Sequence, residues 1–365
     1  MTAGRRWLSV AVGVLLLIAL PFVVRARPVP DQRISAAALL AHIRTSRDLS
    51  YSGLSESAGT LALPANDALS GLTDLLSGTN RVRVWWRDPG LWRTATLRPT
   101  GETDLVHGQG QTVRWVYESK QVTVVPDVPV RLPNTADLLP PELARRVLSG
   151  ARTSELHRIP AQRVAGHVAL GLRLVPADRQ AAIGRVDVYA DQRSGVPLRV
   201  ELFAGHSTTP VVASHFVDFR PGPPDPSALR FRIPPDADVR YDDIVDLAAA
   251  ADRFASRIPP GSLAGLAARG PQRGSVGVYG RGPTVLLAIP LGSRTADRVR
   301  QELDGRPGVR PLDQGLLVSA APLQLLLGQP ERNGTSWLLA GAVTRRALTD
   351  AADQLQARHP RLRLP

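Results

Sequence analysis

The chain opens on an uncharged run, Trp7–Val24 (WLSVAVGVLLLIALPFVV), with Arg5 and Arg6 before it and Arg25 and Arg27 after it. A segment apolar on every side is a deep core helix or a membrane helix. Its eighteen residues reach the short end of the spanning range, roughly 17–25. A secretory apolar region is shorter, about 7–15 residues, and ends on small residues, whereas Val24-Arg25-Ala26 stands here. The pattern favours an uncleaved signal anchor over a cleaved signal for residues 1–30. No later stretch is long and apolar enough to span again, so the expectation is a single-pass protein of the cell membrane whose body lies on the extracytoplasmic side.

A short helix follows, with Ile34, Leu39, Leu40 and Ile43 at helical spacing and Asp31 or Ser35 as its cap. Then the period changes to two. Strands are expected at Leu49–Ser57, Gly59–Pro64, Asn80–Arg87, Leu91–Pro99, Thr103–His107, Gln111–Glu118 and Gln121–Pro126. More follow at Arg163–Pro176, Ile183–Asp191, Val196–Ala204, Val211–Arg220 and Ala228–Ile233. Turn residues separate them, among them Asp88-Pro89-Gly90, Gly108-Gln109-Gly110 and Ser194-Gly195. Two amphipathic helices interrupt the strands, over Asn66–Ser77 and Thr135–Ser149, and must lay their apolar faces on the sheet.

Alternation sorts the strand side chains. Val82, Val84 and Trp86 share one face, while Arg81, Arg83, Trp85 and Arg87 share the other. Val113, Trp115 and Tyr117 form a further set, as do Leu170 with Leu172, Val186 with Val188, and Leu198 with Val200. Read as one continuous concave surface, these twelve residues are a packed core under the helices. If the helices do not fill it, they line a hydrophobic cavity of the usual ligand size, about 300–1,000 Å³. Arg173 falls on the opposite, solvated face, where replacement by Asp is expected to be nearly silent, unlike Leu170→Asp or Leu172→Asp.

After Pro234-Pro235 a helical linker is expected within residues 241–273, and a small α+β domain over 274–365. The fold class is thus α+β: a large antiparallel sheet that curls or closes, with helices laid on it (residues 31–240), plus the small carboxy-terminal domain, after an amino-terminal transmembrane segment. The order of strands, helical insertions and appended domain resembles the LolA-like, lipoprotein-carrier-like fold, shared by LolA-type carriers and the larger RseB/MucB-type sigma-factor regulatory proteins. The stretches that carry the resemblance are YSGLSES (Tyr51–Ser57), NRVRVWWRDPGLWR (Asn80–Arg93), GQTVRWVYESKQVTVV (Gly110–Val125), RVAGHVALGLRLVP (Arg163–Pro176), VDVYADQRSGVPLRVEL (Val186–Leu202) and FVDFRPGPPDPSALRFRIPP (Phe216–Pro235). They cover about residues 35–235. At the carboxy terminus Thr344 stands where that family's turn carries proline.

The resemblance implies that this sheet is an incomplete barrel, a curved antiparallel half-barrel with a helical lid, over a hydrophobic cavity. It also implies binding of a lipid or the acyl chain of a lipoprotein, and a membrane partner such as an anti-sigma factor. A carrier must leave the membrane, so an anchored chain favours sensing and regulation over LolA-like transport.

Composition removes other classes. The 365 residues contain no cysteine, which excludes disulfides, thiolate metal sites and cysteine nucleophiles. None of the seven histidines stands at a zinc-hydrolase spacing, no Gly-x-Ser-x-Gly elbow occurs, and the lone lysine, Lys120, has Tyr117 three residues before it. No enzyme, metal site or cofactor is therefore expected. The net charge of +13 invites a nucleic-acid reading. Yet Arg81, Arg83, Arg87, Arg93, Arg98, Arg114, Arg173 and Arg199 alternate with apolar residues along strands, as on a solvated face. An anionic membrane surface suits such a charge better.

Overall fold

The structure, a computed structural model, describes residues 29, 31–60, 75–127, 133–241, 258–270, 275–306, 308–331 and 334–358. The apolar run Trp7–Val24, most of the helix expected over Asn66–Ser77 and the helical part of the linker, Asp242–Arg257, lie outside the described residues. Among those described, no helix is long and apolar enough to cross a membrane.

The first body is an open sheet of twelve strands: β1 (Tyr51–Gly59), β2 (Thr79–Asp88), β3 (Leu91–Arg98), β4 (Gly101–Gly108), β5 (Gln111–Val116), β6 (Gln121–Pro126), β7 (Leu156–Val164), β8 (His167–Leu174), β9 (Ile183–Asp191), β10 (Pro197–Ala204), β11 (Val212–Pro221) and β12 (Asp238–Tyr241). Their order is β12-β6-β5-β4-β3-β2-β1-β11-β10-β9-β8-β7. Neighbours are antiparallel except β12, which runs parallel to β6. Tight turns set the hairpins. Asp88 Oδ1 accepts the Gly90 N–H at 2.8 Å, and Gln109-Gly110 and Ala165-Gly166 take positive φ at both turn residues, as a two-residue hairpin of the right twist requires. The second of these turns divides Arg163–Pro176, which alternation reads as one strand.

Helices cover one face, here called inner. α1 (Ala36–Thr45) is capped by Ser35, whose Oγ accepts the Ala38 N–H at 3.1 Å, and buries Leu39, Leu40 and Ile43. The expected helix over Thr135–Ser149 is two pieces, a 3-10 turn at Thr135–Leu138 and α2 (Pro140–Val147). Pro140 lacks an N–H and starts a new helix more easily than it continues one.

Residues 228–233 form no strand. Prolines bound that segment on both sides and cannot donate to a ladder. It crosses the outer face instead, and β12 adds to the far edge of the sheet.

Within the stretch read as a linker, β13 (Ser262–Leu263) and β14 (Leu266–Ala267) make a short hairpin. A six-stranded antiparallel sheet then follows: β15 (Gly277–Arg281), β16 (Thr284–Leu291), β17 (Val309–Leu312), β18 (Gly315–Ala320), β19 (Leu323–Gly328) and β20 (Ser336–Gly341), in the order β15-β16-β20-β19-β18-β17. α3 (Ser293–Leu303) and α4 (Arg345–Arg358) complete this second body. The two bodies meet through backbone: Ala182 N–H donates to Ala342 O at 3.2 Å and Thr344 N–H to Gln180 O at 2.8 Å.

Candidate functional site

Most of the expected apolar surface is assembled on the inner face. Cross-strand pairs Leu172–Val188 and Val188–Val200 join β8, β9 and β10, and Leu170, Leu172, Val186, Val188, Leu198 and Val200 are fully buried. α1 and α2 lie on this layer through Leu39, Leu40, Ile43, Leu143, Ala144 and Val147. Val82, Val84 and Trp86 continue it toward β1–β3, packed with Tyr51, Phe216 and Leu139.

Three expected members are elsewhere. Register carries Arg83 to Ala95, Ala95 to Asp104 and Asp104 to Trp115, and directly opposed residues share a face. Trp115 and Val113 therefore stand on the outer face with Arg83, not beside Val82, Val84 and Trp86. They pack there with Val122, Val124, Phe231 and Ala237. Tyr117, 44% exposed, sets its ring edge-on to Trp115 at 5.3 Å. Residue alternation within a strand does not fix phase between strands, and the intervening turns shift it. The same register corrects two arginines: Arg114 pairs with Leu105 and Thr123, and Arg98 alternates in step with the inner-facing Thr96, so both belong to the inner side.

A row of rings crosses the inner face near its β4 end. Tyr51, Trp86, Trp92 and His107 occupy successive cross-strand pairs and stack at centroid separations of 5.8, 5.7 and 5.2 Å with planes 7°, 5° and 16° apart. Trp86, Trp92 and His107 floor a cleft of about 330 Å³. Asp137, Glu142, Arg145 and Arg146, from the 3-10 turn and α2, form its opposite wall, and Arg47 and Asp127 also line it. The wall is internally paired: Arg145 meets Glu142 at 2.6 Å, and Arg146 meets the buried Asp137, which also accepts the Asn134 N–H at 2.8 Å. His107 Nδ1 lies 3.1 Å from Thr112 Oγ1 and 3.7 Å from Asp127. Arg47 makes no ion pair among the described residues.

Beneath the wall the Tyr51 hydroxyl is buried without a hydrogen-bond partner among the described residues. Burial, with the Glu142 charge added, holds this phenol well above its ordinary range. The site therefore combines flat apolar rings, a fixed charged wall and one unpaired cation. Among the described residues no group of three or more acidic or histidine side chains is placed to hold a metal ion. Trp86 alone belonged to the expected set. Trp92 was not legible in Trp86-Arg87-Asp88-Pro89-Gly90-Leu91-Trp92: a regular hairpin centred on Pro89-Gly90 would set Arg87 opposite Trp92, and only a bulge between Trp86 and Asp88 pairs the two tryptophans. The wall residues carry no signal either, since only the tertiary placement of α2 brings them over the rings.

No protein-family model matches the chain, and no curated protein matches it. Solved structures similar to it include the MucA/MucB complex of Pseudomonas aeruginosa, at 14% identity over 87% of this chain and 96% of that one, with a TM-score of 0.49. A crystal structure of MucB is similar at 15% identity over 87% and 96%, with a TM-score of 0.47. A LolA-superfamily protein from Nitrosomonas europaea is similar at 11% identity over 55% of this chain and 98% of that one, with a TM-score of 0.24.

Proposed function

We propose that the protein is a non-enzymatic, membrane-anchored regulatory protein of the cell envelope, with its body outside the cytoplasmic membrane. Its twelve-stranded sheet, read as a half-barrel, takes a lipid or the acyl chain of a lipoprotein, and the protein engages a membrane partner such as an anti-sigma factor. The observation that carries the ligand half is the cleft: Trp86 and Trp92 offer apolar ring edges and Arg47 an unpaired cation within a volume of about 330 Å³, inside the usual range for small-ligand sites, roughly 300–1,000 Å³. An acid head group suits Arg47. The acyl chain then runs toward the aliphatic layer of Leu170, Leu172, Val188 and Val200 beneath α2. The partner half rests on the sequence resemblance, and the anchor on the apolar run at the amino terminus.

Full-length protein in detergent micelles, titrated with dansylundecanoic acid, tests the ligand half. Saturable binding that Trp92→Ala weakens by about tenfold or more is expected, a loss of ~1.4 kcal/mol. Absence of saturable binding by the folded protein would defeat it. The second reading, a LolA-like carrier, uses the same cleft but requires release from the membrane. Mass spectrometry of the mature amino terminus separates the two, since cleavage near Ala26 fits only the carrier.

A further inference from the structure

No residue lining the cleft comes from the second body, yet the second body holds the helix that walls it. α2 presents Glu142, Arg145 and Arg146 to the cleft, buries Leu143, Ala144 and Val147 on the aliphatic layer, and ends at a turn through Gly150, whose φ is +69°. The turn between β15 and β16 docks on that end. Arg281 Nη1 donates to Gly150 O at 3.1 Å and to Glu155 Oε2 at 2.6 Å. Its Nη2 donates to Glu155 Oε1 at 2.5 Å and to Asp178 Oδ1 at 3.3 Å. Gly282 follows with φ +51°, and a β-carbon there would stand 2.8 Å from Val147 O and 3.3 Å from Ser149 O. Only glycine lets this turn seat against the helix terminus.

We propose that α2 couples the cleft to the second body: what fills the cleft sets the helix from one side, the Arg281-Gly282 turn sets it from the other, and each therefore biases the other. The inference rests on reading the cleft as a ligand site and adds how that site is regulated. α2 has eight residues, a rigid rod of about 12 Å, and its wall residues reach Arg146, next to Val147 on which Gly282 docks, so a shift of the wall moves the docked end with it. Such a shift is needed. Leu170 and Leu172 are fully buried beneath the helices, and an acyl chain reaches them only when α2 lifts. The docked end resists gradual loosening. Glu155 is 2% exposed, and a buried carboxylate deprived of its cation is costly, so the turn is seated or released rather than partly displaced. Coupling of this kind is reciprocal in free energy: a ligand that lifts α2 weakens docking of the second body, and release of the turn favours the ligand.

The test uses full-length protein in micelles, with Arg281→Gln as the first variant. Amide exchange at Leu143–Ser149 is expected to quicken by about fivefold or more, and dansylundecanoic acid to bind about fivefold or more tighter, the lower end of ordinary coupling. The chain has no cysteine, and a β-carbon on Gly150 lies 3.2 Å from that of Arg281, close to the usual disulfide separation of about 3.5–4.5 Å. The pair Gly150→Cys with Arg281→Cys therefore supplies a second arm, in which the strain of a side chain at φ +69° and the loss of Arg281 are common to both redox forms: the oxidised double variant should exchange more slowly and bind the probe more weakly than the reduced one. Probe affinity equal in the wild type and Arg281→Gln overturns the coupling and leaves the cleft intact as a ligand site. Faster exchange with no probe binding in any form overturns the ligand reading instead, while supporting the hold of Arg281 on α2.

Discussion

Arg173 and Asp187 face each other across β8 and β9 on the outer face, with Nε 2.6 Å from Oδ1 and Nη2 2.7 Å from Oδ2. The aspartate side chain is only 5% exposed, against 36% for the arginine. Alternation assigned Arg173 to the solvated face, as the structure has it, but solvation does not make the position free. Arg185, 3.8 Å from Asp187, is a poor substitute partner.

Arg173→Asp is therefore expected to be far from silent. It sets a second carboxylate against a nearly buried one, and breaking a buried pair costs about 3–5 kcal/mol, less at a partly exposed site, so about 1–3 kcal/mol here. Leu172→Asp, which puts a charge into the fully buried layer, should prevent folding. Urea midpoints decide the first case, and a change below about 0.5 kcal/mol, the ordinary range for surface substitutions, would show that the two-point contact contributes nothing.

Trp115→Ala separates the two faces. Its ring is 5% exposed and packs on the outer side with Val122 and Phe231. Removing a buried aromatic costs about 3–5 kcal/mol, here by loosening the segment that carries Phe231 across the sheet. Dansylundecanoic acid binding should persist, because the cleft lies on the inner face. Loss of binding in a variant that still folds would return Trp115 to the ligand surface.

How far the sequence reaches is visible in these residues. Alternation placed Val82, Val84 and Trp86 together because one strand has one phase, and it identified the aliphatic rows of β8, β9 and β10 for the same reason. It failed between strands, where Gln109-Gly110 and the turn at Lys120 determine which face Trp115 meets. In the second body β17 and β19 are hard to read from alternation, because Pro311 interrupts the first and the all-apolar Leu325-Leu326-Leu327 hides the period of the second. The charged wall of the cleft was illegible because its pairs, such as Arg146 with Asp137, form only after α2 docks.

Ala165→Asn addresses the turn that alternation overlooked. Ala165 sits at φ +47° before Gly166 at +82°, a conformation in which Asn-Gly is strongly preferred and Ala is strained. The replacement should stabilise the protein by about 1 kcal/mol, the order of the penalty an ordinary side chain meets in the left-handed region and Asn largely escapes. An unchanged or lower denaturation midpoint would mean that this hairpin is not set by a two-residue turn.

Glu155 should give the interface between the two bodies an acid-sensitive stability. Hydrogen bonds from Arg281 above all, joined by N–H donors of Arg152 and Ala177, hold its carboxyl at about 2 against an ordinary 4.5. A depressed folded-state value means the contribution is complete above the ordinary value and is lost as pH falls toward 2. Its size is about 3 kcal/mol, from ~1.4 kcal/mol for each pH unit of displacement. The melting temperature of the wild type should therefore fall between pH 5 and pH 2.5, roughly the span of the displacement. Glu155→Gln should begin lower at neutral pH, since Arg281 loses its charged partner, and should change little across the same interval. Arg281→Gln should move the acid-sensitive step upward, toward the ordinary carboxylate range, because the buried acid then takes up its proton earlier. Identical acid profiles for all three proteins would mean that Glu155 titrates in the native state as it does in the unfolded chain, and that Arg281 does not govern its charge.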